Sequence, residues 1–238
     1  FGDAQNAGER SLCLKDSACL PLTSPLAISS DEHCGQLANV ISFSLFGGNP
    51  RYMRVAVANV IESKRFFGNW KIRFYLDESV PSEMVDYLDE AGAEIIVESG
   101  ATELRDKLGW CFKGASDPAV KRYLLRHVDS LVSQREVLAV EEWIKSGRNF
   151  HVMRDWWTHT DLILAGMWGG RAGVLPDLME SLSTYRPPHL ETPNVDQWFL
   201  RDKVWPLIKG DVLIHDRFFR VLNSLPWPGP TPDGNVHV

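Results

Sequence analysis

Polar residues close five short apolar runs: Ser44, Asp77, His127 with Asp129, Arg154 with Asp155, and His215 with Asp216. Two of these groups combine histidine with aspartate at places far apart in the chain. Carboxylate and imidazole together suit Mn²⁺ or a related divalent ion. Such an ion offsets the negative charge of a diphosphate. For any one of these residues taken alone, a cap on a loop or helix is the better explanation. Their recurrence at the ends of separate elements favours a shared site. The runs that carry them must then be strands whose carboxyl ends meet on one edge, where open α/β sheets bind their ligands.

The chain supplies such strands. Residues 40–45 form a short apolar run that ends in Phe46-Gly47-Gly48-Asn49-Pro50, a buried strand feeding a tight turn. A helical stripe follows, with apolar residues at 53, 56, 57, 60 and 61. Residues 71–76 make a second strand, Pro81 opens a helix that Gly92 stops, and residues 93–97 make a third strand. A fourth strand over 122–128 runs into Asp129. The next helix carries an S-x-x-E capping box, Ser133 with Glu136, and Gly147 closes it. Strands over 150–153 and, broken by glycine, over 162–168 come next, then a short helix from Pro176. A helix over 195–208 and a last strand over 211–214 complete the pattern. Strand and helix alternating at short spacing predicts an α/β fold, a central and mostly parallel sheet with helices on both faces.

Residues 1–38 read as a leader wrapping the domain, 39–217 as the domain itself, and 218–238 as an extended, Pro-rich tail. With 25 Lys+Arg against 31 Asp+Glu, the net charge of −6 argues against a nucleic-acid partner, which needs a basic surface. No apolar run reaches the roughly 20 residues of a membrane span. The four cysteines, Cys13, Cys19, Cys34 and Cys111, match no zinc spacing; free thiols are expected, with Cys111 a small buried hydrophobe. Nothing here fixes a compartment. Several chemistries are excluded by missing motifs: the turn after the first strand lacks G-x-G-x-x-G, no Walker A sequence occurs, and there is no G-x-S-x-G elbow. Trp156, Trp157 and Trp168 have the ring faces that stack on sugars, but most of the nine tryptophans must be core. Tyr52, just after the first turn, is placed either to stack on a base or to lie on the surface.

A wider pattern joins these pieces. Val128-Asp129-Ser130, Arg135-Glu136, Glu142-Trp143, His151-Val152-Met153-Arg154-Asp155, His159, Leu164-Ala165-Gly166-Met167-Trp168-Gly169-Gly170, Asp196-Gln197, Trp205-Pro206 and His215-Asp216 occur in that order. Over roughly residues 40–217 this resembles the GT-A-fold glycosyltransferase-like proteins, which are nucleotide-diphospho-sugar transferases. The resemblance implies a single GT-A-like domain, a nucleotide-sugar donor, an unknown sugar or protein acceptor, and Mn²⁺ or Mg²⁺ held by a D-x-D element. Here that element is His127-Val128-Asp129, so histidine stands where the first Asp is expected. The implied metal set is Asp129, His215 and His127. Asp196 is implied beside the reacting sugar, with Arg154 and Asp155 as further catalytic candidates. Ser44, Leu45 and Asp77 are placed on the nucleotide, and Gly166, Met167 and Trp168 on the donor sugar. Two other readings stay open: a catalytically weakened module that binds a nucleotide sugar or a protein, and a metal-dependent phosphoester hydrolase.

Overall fold

The central strand β1 (Ala38–Leu45) is buried along most of both faces, as a strand between parallel neighbours and helices must be. In the computed structural model, which describes residues 37–101, 103–187 and 194–229, it pairs in parallel with β2 (Lys71–Leu76) on one side and β4 (Val120–Arg126) on the other. β3 (Glu94–Val97) extends the sheet beyond β2. On the far side of β4 lies β6 (Met167–Arg171), antiparallel both to β4 and to β5 (Phe150–Arg154). β7 (Val212–Asp216) pairs in parallel with β5. The order is β3-β2-β1-β4-β6-β5-β7. It turns back on itself between β1 and β4, so a crevice opens at the carboxyl ends of those two strands.

Alternate residues feed two apolar clusters, and the pleat puts these on opposite faces of the sheet. Ile41, Phe43, Phe74 and Leu124 pack against α1 (Pro50–Phe67), α2 (Ser82–Glu90) and α4 (Gln134–Ser146). Val40, Tyr123, Leu125 and Val152 pack against a 3₁₀ segment (Trp110–Ala115), α5 (Leu178–Thr184) and α6 (Val195–Phe199). A π turn (Leu200–Val204) continues α6 into α7 (Trp205–Ile208). The expected architecture is what forms: a single α/β domain around a seven-stranded, mostly parallel sheet with helices on both faces. No helix of the described residues is long and apolar enough to cross a membrane.

The differences from the expected elements have local causes. α1 continues past its stripe to Phe67, and Ile61 faces solvent. Pro81 is the cap of α2 rather than its first residue. The strand expected over 162–168 begins only at Met167, because residues 155–166 form a loop. Within β6, a Cβ on Gly169 would stand 2.5 Å from the Tyr123 carbonyl oxygen, so only glycine lets this strand close on β4. The capping box does not form. Ser133 caps α4 without a side-chain bond, and Glu136 is buried against Arg126 at 3.3 Å instead. The segment between β3 and β4, where no element was expected, holds α3 (Leu104–Gly109) and the 3₁₀ turns after it. Cys111 is buried and free. The other three cysteines and all but the last two residues of the expected leader lie outside the described residues. Beyond Asp216 the chain turns back along β7: Leu225 donates its N–H to the Ile214 carbonyl, and Trp227 donates to the Arg154 carbonyl at 2.8 Å.

Candidate functional site

β4 ends at Arg126, one residue before the histidine that replaces the first carboxylate, so His127-Val128-Asp129 forms a turn at the crevice. Two cavities meet on this turn, and both His127 and Asp129 line each of them. The first, about 310 Å³, lies over β1 and is largely apolar, with Leu45, Phe46, Tyr52, Leu104 and Leu108 in its wall. Ser44 accepts the Cys111 N–H at 2.9 Å and donates to the Leu108 carbonyl at 3.3 Å, which seats α3 as one side of the cavity. Cys111 is an inert wall: burial pushes its thiol up to about 12. The second cavity, about 860 Å³, is more polar and includes Arg51, His159, Asp161, Gly166, Met167 and Gln197.

One buried guanidinium holds the turn. Arg126 donates to the Gly166 carbonyl at 3.1 Å, to Ser130 Oγ at 3.0 Å and to the Leu131 carbonyl at 3.3 Å, and it faces Glu136. Burial pushes Glu136 up to about 7 even though Arg126 opposes it. Gly166 closes the arrangement. A Cβ there would stand 2.6 Å from His127 Cγ, so glycine alone lets the 155–166 loop reach the turn. Arg126 was not singled out in the sequence, although a charge at the end of the run Tyr123-Leu124-Leu125 demands a buried partner.

The three expected catalytic residues share one kind of position. Asp196, Arg154 and Asp155 are all buried, and none lines either cavity. Asp196 accepts the Gln197 N–H through Oδ1 at 2.7 Å, and its Oδ2 stands 3.4 Å from His127 Nε2. Asp155 Oδ1 stands 2.9 Å from His159 Nδ1. Arg154 binds Asp216 Oδ2 at 2.7 Å and donates to the carbonyls of Asp161 and Leu162. Each supports a residue or a loop that does reach a cavity.

The nucleotide and sugar candidates divide. Ser44 and Leu45 line the first cavity, and Gly166 and Met167 line the second. Trp168 does not join them. It is fully buried, edge-on to Tyr123 and Phe112 in the core, because β6 turns its side chain into the sheet's helical packing. Asp77 lines neither cavity. Burial alone would raise its carboxyl, but hydrogen bonds from Lys107 at 2.6 Å and from Ser79 outweigh that and hold it below the usual range. Trp156 and Trp157 also stand outside both linings.

His215 does not join Asp129 and His127. It is fully buried on β7, where Nδ1 faces His151 Nε2 at 2.8 Å and Nε2 faces Glu142 at 3.2 Å. Trp143 stacks on His151 and covers the pair from α4. Burial pushes both imidazoles down, His151 well below its ordinary value and His215 less so because Glu142 opposes the shift. The expected set of Asp129, His215 and His127 is therefore not assembled. Among the described residues no three His, Cys, Asp or Glu side chains gather to hold an ion.

No family model matches the chain, and no curated protein matches it. Solved structures do. The fold is similar to that of a glycosyltransferase involved in the glycosylation of the major capsid of PBCV-1, with a TM-score of 0.51, 17% identity, and 76% of this chain and 82% of that one covered. Weaker likenesses include 4-diphosphocytidyl-2C-methyl-D-erythritol synthase from Anaerococcus prevotii, with a TM-score of 0.47, 12% identity, and coverage of 76% and 86%. Another is a mannosyltransferase from Pyrobaculum calidifontis in complex with GDP-Man and Mn²⁺, with a TM-score of 0.45, 10% identity, and coverage of 74% and 54%. The likeness to the capsid glycosyltransferase is one of architecture: the chain is a single α/β domain with a GT-A-like fold.

Proposed function

We propose that this chain is a glycosyltransferase that moves a sugar from a nucleotide-diphosphate donor to an acceptor hydroxyl, assisted by a divalent ion. The observation that carries this reading is the turn His127-Val128-Asp129, a common wall between a small apolar cavity and a larger polar one. A donor laid across the turn has its base against Tyr52 and Leu108, over a floor made by Ser44 and Leu45. Its diphosphate lies beside Asp129 and Arg51, whose guanidinium opposes the phosphate charge. Its sugar lies over Gly166 and Met167. Asp77 acts at one remove by fixing Lys107, which stands 5.8 Å from the centre of the Phe46 ring at the cavity wall.

Asp129 and His127 are the residues that would hold Mn²⁺ or Mg²⁺. Asp129 is exposed on the turn, and a carboxylate with a nearby imidazole is a fitting donor set for such an ion. Two side chains do not make a cage, so the rest of the shell would have to come from the donor's phosphates and water, the usual way such ions bind with nucleotides. Bound there, the ion would neutralise charge on the leaving diphosphate as a Lewis acid. Asp196 stands behind the His127 ring at 3.4 Å, in the position an outer carboxylate takes toward a ligating histidine. Arg154 and Asp216 hold the loop that forms the sugar side.

A module that binds a nucleotide sugar without transferring it is the second reading, and one observation favours it: His127 brings no fixed negative charge to the turn. A two-metal phosphoester hydrolase needs clustered carboxylates, and no such cluster is found among the described residues. Titration calorimetry with UDP and GDP, with and without Mn²⁺, tests the proposal. One of the two is expected to bind in a metal-dependent way, and Asp129→Ala to weaken it by about tenfold or more, the effect of losing a charged contact. Binding by neither sinks the reading. Metal-dependent binding with no release of nucleotide from any sugar donor selects the binding module.

A further inference from the structure

His159 belongs to none of the roles above, yet it lines the larger cavity beside Gly166, Met167 and Gln197. It sits on the 155–166 loop, four residues after Asp155. A turn returns it to that carboxylate: His159 donates its backbone N–H to the Trp156 carbonyl at 3.0 Å, and its ring Nδ1 stands 2.9 Å from Asp155 Oδ1. Among the described residues neither of those two atoms has a hydrogen-bond partner, so the 2.9 Å approach is a close contact without hydrogen-bond alignment. The Asp155 side chain is 10% exposed and that of His159 is 29% exposed, so the carboxylate lies behind the ring and the ring meets the cavity. The loop is pinned at its far end, where Arg154 donates to the carbonyls of Asp161 and Leu162. Arg135 and Glu136, at the start of α4, are the charged neighbours whose fields reach Asp155.

A carboxylate this close to Nδ1 favours the tautomer with its proton on Nδ1 and leaves the Nε2 lone pair free, and catalytic pairs of this kind often align only when substrate is bound. We propose that His159 is the general base that activates the acceptor hydroxyl, and that Asp155 is its positioning residue. This rests on the glycosyltransferase reading of the same cavity. Nε2 takes the hydroxyl proton while the oxygen lone pair forms a bond to the anomeric carbon. The bond from that carbon to the diphosphate oxygen breaks, and its electron pair leaves with the nucleoside diphosphate. The new imidazolium is stabilised by Asp155 and loses its proton to solvent at its exposed edge. One direct displacement inverts the anomeric centre. Asp196 is not available for this task, since it is buried behind His127.

The test uses the full chain and a panel of UDP- and GDP-sugars, with water as the acceptor of record, following release of nucleoside diphosphate. His159→Ala and the size-preserving His159→Gln are expected to leave UDP or GDP affinity within about twofold and to lower release by about 10²–10⁴-fold, the usual worth of a general base. Added imidazole is expected to restore release in His159→Ala, which a structural role would not allow. Asp155→Asn is expected to lower kcat with KM little changed, and imidazole is not expected to restore it. Proton NMR of the released sugar is expected to show the inverted anomer first. Unchanged release in both His159 variants overturns the inference, as does loss of release with affinity intact and no imidazole rescue, or a retained anomer. These outcomes leave the donor site standing. Failure of the wild-type chain to bind either nucleotide overturns the site itself and the base with it.

Discussion

Around β1, β2 and α1 the buried side chains are mostly hydrocarbon, Ile41, Phe43, Phe74, Met53 and Val60 among them. Around β5 and β7 they include His151, Arg154, His215 and Asp216, each nearly or wholly out of water. The first region is held by apolar area, which is non-directional and tolerates small shifts. The second is held by charge and hydrogen-bond pairs, which fix direction but impose a heavy cost when one partner is lost. The loop that carries His159 and Gly166 grows from the second region. Precise placement is needed there, and Arg154 with Asp216 supplies it.

Removing one side of that pair has the largest expected effect. Arg154→Ala leaves Asp216 buried and unpaired and frees the Asp161 and Leu162 carbonyls. It should cost about 3–5 kcal/mol in urea unfolding. The double variant Arg154→Met, Asp216→Leu should recover most of that stability without recovering the loop, so stability and donor turnover separate. Recovery of both would mean that the pair is not what places the loop. A smaller loss is expected at the seam between the regions. Gly169→Ala drives a Cβ to 2.5 Å from the Tyr123 carbonyl oxygen, an overpacking that should cost about 1–3 kcal/mol in the same measurement. An unchanged midpoint would show that β6 can move away from β4.

The smallest effect is a pH dependence that belongs to the β5–β7 side. His151 and His215 have folded pKa values below their ordinary 6.5. The unfolded chain then binds protons more readily, so their stabilising contribution is complete above that value and is lost as the pH falls below it. Glu136 works in the opposite sense: its pKa is raised from 4.5 to about 7, so its contribution is complete at the acid end and lost as the pH rises through about 7. Comparing the wild-type chain with His151→Gln separates the two. Melting temperatures measured from about pH 7.5 down to about 5.5 should fall more steeply in the wild-type chain, because the variant lacks one buried imidazole that protonation disrupts. Parallel curves would remove the histidines as the cause. Hydrogen exchange should show the acid-induced opening in β5 and β7 before β1 and β2.

The sequence by itself determined the alternation of strand and helix and the helices on both faces of a mostly parallel sheet. These follow from periods of 2 and 3.6, which record on which side each residue's own element is buried. Even there the record was local. Ile61 fitted the stripe of α1 and faces water, and α3, too short to build a stripe, was invisible although Leu104 and Leu108 line the first cavity. At the site, residue types were legible but partners were not. Asp196, Arg154 and Asp155 stood out as chemistry-bearing residues, and the structure sets them behind His127, the loop carbonyls and His159. His215 had the right type at a strand end, but the pleat of β7 turned it toward His151 and Glu142. Glu136 had the spacing of a capping box, yet a buried guanidinium on β4 outbid the local backbone for it. Arg154 and Asp216 lie 62 residues apart, and His151 and His215 lie 64 apart. Whether such groups meet is decided by strand order and register, because only the closed sheet excludes the water that would otherwise solvate each of them separately.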